Sequence, residues 1–123
     1  MKVLHSLEDA RALAGVALAL GNFDGVHLGH RALFKEAAAH GRPGALTFEP
    51  HPGKVLQPEL APRLITPLPR KLQLMEAAGL DVAVVLPFTL DFARTPARDF
   101  EVMLFDRARL PAVVVGRDYT YGA

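Results

Sequence analysis

An α/β layer fold with a mostly parallel sheet is what this sequence predicts, and three observations carry the prediction. Short runs of almost purely apolar residues alternate with stretches of helical spacing. Those runs lack the in-and-out alternation of a sheet with one wet face. Each ends at a glycine or a proline within two residues.

The elements follow in order. Val16 to Leu20 is uncharged and apolar, is closed by Gly21, and reads as a first buried strand. From Leu28 to His40 the apolar positions Leu33, Phe34, Ala37 and Ala38 recur at helical spacing, Arg31, Lys35 and Glu36 take the opposite side, and Gly41 supplies a stop. Arg42-Pro43-Gly44 reads as a turn, and Ala45 to Phe48 as a second strand. The stretch from Glu49 to Pro69 contains Pro50, Pro52, Pro58, Pro62, Pro67 and Pro69, which forbid a regular ladder and predict a long surface loop of the kind that serves as a lid or binding segment. Leu72, Met75 and Ala78 mark a helix ending at Gly79, and Val82 to Leu86 a third strand. Thr95 as N-cap and Pro96 at the first helical position open another helix, with Phe100, Met103 and Leu104 inward. Ala112 to Val115, closed by Gly116, is the fourth strand.

Composition sets the limits on function. With 123 residues, half of them hydrophobic and 22% charged, one folded domain over residues 1–123 is expected. Lys and Arg number 14 against 13 Asp and Glu, a net charge of +1 that gives no footprint for nucleic acid. The longest uncharged apolar window, Ala12 to Phe23, is short of the roughly 20 residues a membrane-spanning helix needs, and Glu8, Asp9 and Arg11 sit where a signal peptide needs its apolar core. Zero Cys removes disulfides, thiolate metal sites and a cysteine nucleophile. The expected location is the cytoplasm, with neither membrane nor nucleic acid as partner.

In a parallel sheet, ligands bind beyond the carboxyl ends of the strands. There the sequence places Gly21 to His30, Glu49 to His51 and Gly116 to Gly122. The first segment, Gly21-Asn22-Phe23-Asp24-Gly25-Val26-His27-Leu28-Gly29-His30, joins a strand to a helix start, where unpaired N–H groups and the positive dipole end attract an anion. Its glycines permit close approach, and His27 and His30 share a helix face from which two imidazoles can donate to one oxyanion. The pattern is neither a dinucleotide fingerprint nor a P-loop. Zinc held by His27, His30 and Asp24 is an alternative that leaves the glycines unexplained.

This decapeptide resembles the first motif of the H-x-G-H nucleotidyltransferase superfamily, and its form is similar to that of the bacterial bifunctional riboflavin kinase/FAD synthetases. Thr47-Phe48-Glu49-Pro50-His51-Pro52, Leu86-Pro87-Phe88, Asp99-Phe100 and Val115-Gly116-Arg117-Asp118-Tyr119-Thr120-Tyr121-Gly122 continue the resemblance in the family's order. It implies a Rossmann-like, doubly wound parallel sheet and adenylyl transfer from ATP to FMN, giving FAD and pyrophosphate, with Mg²⁺ as the expected ion. Under it, His27, His30 and Asp118 are the catalytic candidates. Gly21, Asn22, Phe23, Asp24, Gly25, Gly29, Glu49, Phe100 and Tyr121 are the substrate-binding ones, Phe100 and Tyr121 against the flavin ring. Glu49 or Asp118 can ligate Mg²⁺, and the metal ligands stay unassigned.

Several residues keep a second reading. Phe100 has the helical spacing of a core residue, Glu49 can be solvated at a strand end, Asp24 can cap the helix, and His51 can serve the loop alone. His5 and His40 have no constellation and read as surface residues. The family's I-S-S-T-x-x-R-type stretch and its riboflavin kinase domain would follow Ala123, so the chain reads as the amino-terminal domain, incomplete at its carboxyl end. A catalytically incomplete nucleotide-binding fragment and an H-x-G-H cytidylyltransferase with another phosphorylated substrate are the alternative functions.

Overall fold

The structure, a computed structural model, describes residues 1–11, 15–21, 23, 28–49, 67–107, 110 and 112–115. Its elements are β1 (Lys2–Leu4), α1 (Leu7–Arg11), β2 (Val16–Leu20), α2 (Leu28–His40), β3 (Arg42–Glu49), α3 (Leu68–Ala77), β4 (Val82–Pro87), α4 (Leu90–Ala93), α5 (Ala97–Val102) with a π-type turn over Met103–Arg107, and β5 (Ala112–Val115). The strands form a five-stranded sheet in the order β1-β4-β3-β2-β5, and every pairing is parallel. Among the described residues no helix is long and apolar enough to cross a membrane.

The two faces of the sheet are set by strand alternation. Val16, Leu18, Leu20, Leu46, Phe48, Val82, Val84 and Leu86 point to one face, where they are buried with Leu7 of α1 and with Phe100 and Leu104. Ala19, Ala45 and Ala83 point to the other and are covered by Phe34 of α2, Met75 of α3, Phe23 and Leu80. Helices therefore lie on both faces, the doubly wound arrangement that the resemblance implied. Small residues under α2 let that helix seat close to the strands.

Sequence and structure agree on the bounds of β2, α2 and β5; β4 runs one residue further than expected, to Pro87, and larger differences fall at four places. The strand and helix over Lys2–Leu4 and Leu7–Arg11 are additional, which makes five strands instead of four. Arg42-Pro43-Gly44, expected to be a turn, is the first part of β3, in register with Val16, Ala17 and Leu18. Pro43 is tolerated because its carbonyl accepts from Asp81 N at 3.0 Å, so its missing N–H faces the β4 side ahead of that strand's first residue. Gly44 is there for close approach: a Cβ would stand 2.8 Å from Leu18 Cδ2 and 3.1 Å from the Val82 carbonyl oxygen. The expected loop gives up Glu49 to β3 and Leu68 and Pro69 to α3. Gly79, with φ of +96°, follows α3 as expected of a helix stop. The helix expected to open at Thr95 has Pro96 as its cap, and a short α4 precedes it, capped by Thr89 Oγ1 accepting from Phe92 N at 3.0 Å.

Candidate functional site

Because every strand runs the same way, all the outgoing connections leave from one edge of the sheet. Leu20 pairs with both Leu46 and Val115, so β2 and β5 end together, while β3 and β4 run three residues further, to Glu49 opposite Pro87. Gly21 N donates to the Leu46 carbonyl at 3.2 Å, carrying the β2–β3 pairing one residue further. There the backbone turns sharply: Phe23 has φ of 55°, in the left-handed region that an aromatic residue rarely adopts. Such a conformation costs on the order of 1–3 kcal/mol. Burial of the ring, which is 2% exposed, contributes about 1.5–3 kcal/mol in return.

The direction of that ring explains two motif residues together. It folds back over Gly21, where a Cβ would lie 3.0 Å from two ring atoms, so any larger residue would have to push the ring aside. It stands edge-on to the His30 imidazole, with centroids 5.1 Å apart and planes at 85°, and packs against Phe34 at 5.2 Å. His30 is the third residue of α2 and half-buried, in the first turn of a helix whose N-terminal N–H groups and dipole favour an anion. Gly29, one residue earlier, lies in the same first turn. Phe23 was expected to line the nucleotide side. Its side chain instead faces the core, which leaves its backbone to meet a ligand.

Glu49 ends β3 with an exposed side chain, and its carbonyl accepts from Phe88 N at 3.4 Å. It lines a pocket of about 390 Å³ with His5, Leu68, Val85 and Pro87. A neighbouring pocket of about 220 Å³ is lined by His5, Ser6, Leu86, Phe92 and Met103, among others. His5, read from sequence as an uncommitted surface residue, thus stands at the mouth. The pairing of β1 with β4, Leu4 opposite Val84, puts it there. A recognisable three-residue strand was the missing signal.

Phe100, expected against the flavin, is 1% exposed in the large-residue core and packs edge-on to Phe92 at 5.6 Å. Its inward position on α5 accounts for this, in line with the core reading that helical spacing also allowed. Phe92, Phe48 and Phe88 extend the same cluster toward the strand ends, Phe48 lying 5.5 Å from Phe88 and 5.4 Å from Phe92.

One functional-looking residue had no sequence signal. Lys71, in the first half of α3, is 2% exposed, and its Nζ donates to Oγ1 of the fully buried Thr47 at 3.4 Å. Lysines are almost never buried this deeply without a polar purpose.

Asn22, Asp24, Gly25, His27, Asp118 and Tyr121 lie outside the described residues, as does His51. Among the described residues no three His, Asp or Glu side chains are grouped as metal ligands. The Glu49 carboxylate is a hard oxygen donor open to the mouth, which suits Mg²⁺ with most of its shell from water and phosphate.

Comparison with known proteins gives this geometry a family. A family model described as FAD synthetase matches residues 9–123. The bifunctional riboflavin kinase/FMN adenylyltransferase of Escherichia coli (strain K12) is 35% identical over 126 residues, covering 98% of this chain and 40% of its own length. The protein of the same description from Listeria monocytogenes serovar 1/2a is 39% identical over 111 residues, covering 85% of this chain and 35% of itself. That of Bacillus subtilis (strain 168) is 35% identical over 124 residues, covering 96% and 39%. The chain thus spans 35% to 40% of the length of these curated relatives. A crystal structure described as a macrolide-efflux protein from Streptococcus pneumoniae shares the fold, with a TM-score of 0.79 at 25% identity over 98% of this chain and 42% of the other.

Proposed function

Because the chain belongs to the FAD synthetase family, we propose that its strand-end mouth transfers an adenylyl group from ATP to FMN. An FMN phosphate oxygen attacks the α-phosphorus, the bond from that phosphorus to the bridging oxygen breaks, and pyrophosphate leaves with the electron pair. The observation that carries this reading is the α2 N-terminus, with the His30 imidazole set edge-on to a Phe23 ring that itself packs over Gly21.

The reaction asks for positioning and charge neutralisation, not for a covalent intermediate, since the incoming phosphate is already a nucleophile. His30 donates to the phosphate chain as charge builds on the leaving group, and the N–H groups opening α2 hold the same oxygens. His27 is assigned the second donor, Asp118 a polar contact that aligns the substrates, and Tyr121 the flavin ring. Asn22, Asp24, Gly25 and Gly29 shape the nucleotide side. Glu49 would hold Mg²⁺, which supplies neutralisation of the phosphate oxygens when bound.

FMN is the product expected of a riboflavin kinase, the other activity in the relatives' names, so a kinase domain is the proposed partner and the cytoplasm the proposed location. The test is chromatography of the chain incubated with ATP, FMN and Mg²⁺. FAD and pyrophosphate appearing in equal amounts support the reading. Consumption of CTP in preference to ATP, or nucleotide binding without FAD, would replace it.

A further inference from the structure

We infer that Lys71 is a positioning residue of the anion site, its buried ammonium supplying a fixed positive charge beneath the phosphate chain. The inference rests on the adenylyl-transfer reading of that mouth and adds a residue to which neither motif nor charge pattern pointed.

Register locates the ammonium. Leu20 is paired with Leu46, and Gly21 N bonds the Leu46 carbonyl, so Gly21 stands beside Thr47 on the neighbouring strand. Adjacent strands are about 4.8 Å apart. Thr47 alternates with Ala45 and therefore points to the face where Phe23 is buried and His30 meets it. Lys71 comes down onto Thr47 from α3, whose Met75 packs in that same face. On the other side, Thr47 is in register with Val85, which lines the pocket of Glu49 and His5. The Lys71 Nζ thus sits one strand from the Phe23–His30 corner and just below the Glu49 pocket, between the two halves of the mouth.

Chemistry supplies the purpose. A helix anchor in this position needs only an apolar side chain, and Met75 one turn later is one. Burying an ammonium is costly, and its charge acts more strongly through a low-dielectric interior than at the surface. The contact with Thr47 Oγ1 at 3.4 Å places that charge beneath the strand ends. Phosphate oxygens settling over α2 and the β3 end would meet it at a set distance.

Lys71→Met keeps the apolar stem and removes the charge. Wild type and variant are compared for pyrophosphate binding by equilibrium dialysis and for FAD formation, with circular dichroism and Tm recording the fold. Pyrophosphate affinity is expected to fall about three- to tenfold, and kcat/KM for FAD formation by about tenfold or more, with the circular dichroism spectrum unchanged. Because the sequence has no Cys, Lys71→Cys offers a unique thiol. Alkylated in denaturant with 2-bromoethylamine and refolded, it regains an ammonium at nearly lysine length and should recover pyrophosphate affinity; the neutral iodoacetamide adduct should not. If Lys71→Met does not fold, Thr47→Val, which removes the hydroxyl that the ammonium meets, carries the same expectation.

Wild-type pyrophosphate affinity in the folded variants, or equal recovery with the neutral adduct, overturns the inference. The two readings fail separately. Wild-type protein that makes no FAD, while Lys71→Met still weakens pyrophosphate binding, removes the adenylyl-transfer reading and keeps the charge. Wild-type protein that makes FAD, alongside a Lys71→Met variant of equal kinetics, removes only the charge.

Discussion

The two faces of this sheet are made from the same strands and do different work. On one, Val, Leu and Phe side chains interlock with α1, α4 and α5, and Phe48, Phe88, Phe92 and Phe100 form an aromatic cluster. On the other, alanines bring α2 close to the strands, and the unusual features gather at their carboxyl ends: a left-handed Phe23, an imidazole against it, a glycine packed under its ring, and a buried lysine on a buried threonine. Large side chains fill space and leave nothing to be positioned. Small ones leave backbone and polar groups near enough to a ligand to act, and among the described residues the non-glycine with positive φ, Phe23, lies there. The difference makes a testable division, in which damage to one face costs stability and damage to the other costs chemistry.

The largest expected effect breaks the aromatic face. Phe100→Ala leaves a cavity in the large-residue core and should cost about 3–5 kcal/mol in a denaturant titration. The KM for FMN of molecules kept folded at low temperature should stay unchanged. A raised KM at full stability would instead put Phe100 against the flavin.

Next comes His30→Ala on the opposite face, expected to lower kcat for FAD formation by about 10²–10³, with Tm shifted little. Full turnover would remove the imidazole from the site. Gly21→Ala is a subtler change to the same corner. Its Cβ meets the Phe23 ring at 3.0 Å, so the ring must give way by a few tenths of an ångström and carry the His30 imidazole with it. About a tenfold loss in kcat is expected, some 1.4 kcal/mol of transition-state stabilisation, and steady-state kinetics reads it directly. The smallest effect belongs again to the packing face. Thr89→Ala deletes the cap of α4 and should cost about 1 kcal/mol in chemical denaturation without altering turnover.

How much of this was legible beforehand depends on whether the signal is local. β2, α2 and β5 carry theirs in their own residues, apolar runs or helical spacing with a glycine at the end, and their bounds match the structure. The start of β3 was misread because Arg42-Pro43-Gly44 has turn chemistry, whereas the deciding fact is that Leu18 and Val82 come too near Gly44 for any side chain. β1 is three residues long and gains its identity from pairing with β4, some eighty positions away. That hid His5 as a mouth residue.

In the site, the glycines and His30 were legible as an anion-binding pattern because helix starts bind anions for reasons any sequence shows. The inward turn of Phe23 was not, since a positive φ leaves no trace in residue type unless the residue is glycine. Lys71 was invisible for a related reason. Directly after Arg70, Lys71 looks like part of a charged solvent side, and only the position of Thr47 beneath it, 24 residues back in the chain, makes it otherwise.

The claim everything else depends on is that phosphate oxygens rest at the start of α2 under the His30 ring. Histidine-selective NMR of the chain during titration with Mg-ATP reads this directly, with His30→Ala fixing the assignment among the five histidines. The account predicts that the His30 ring resonances shift with saturation while those of His40, exposed at the far end of α2, do not. Saturable Mg-ATP binding that leaves His30 unmoved would contradict it.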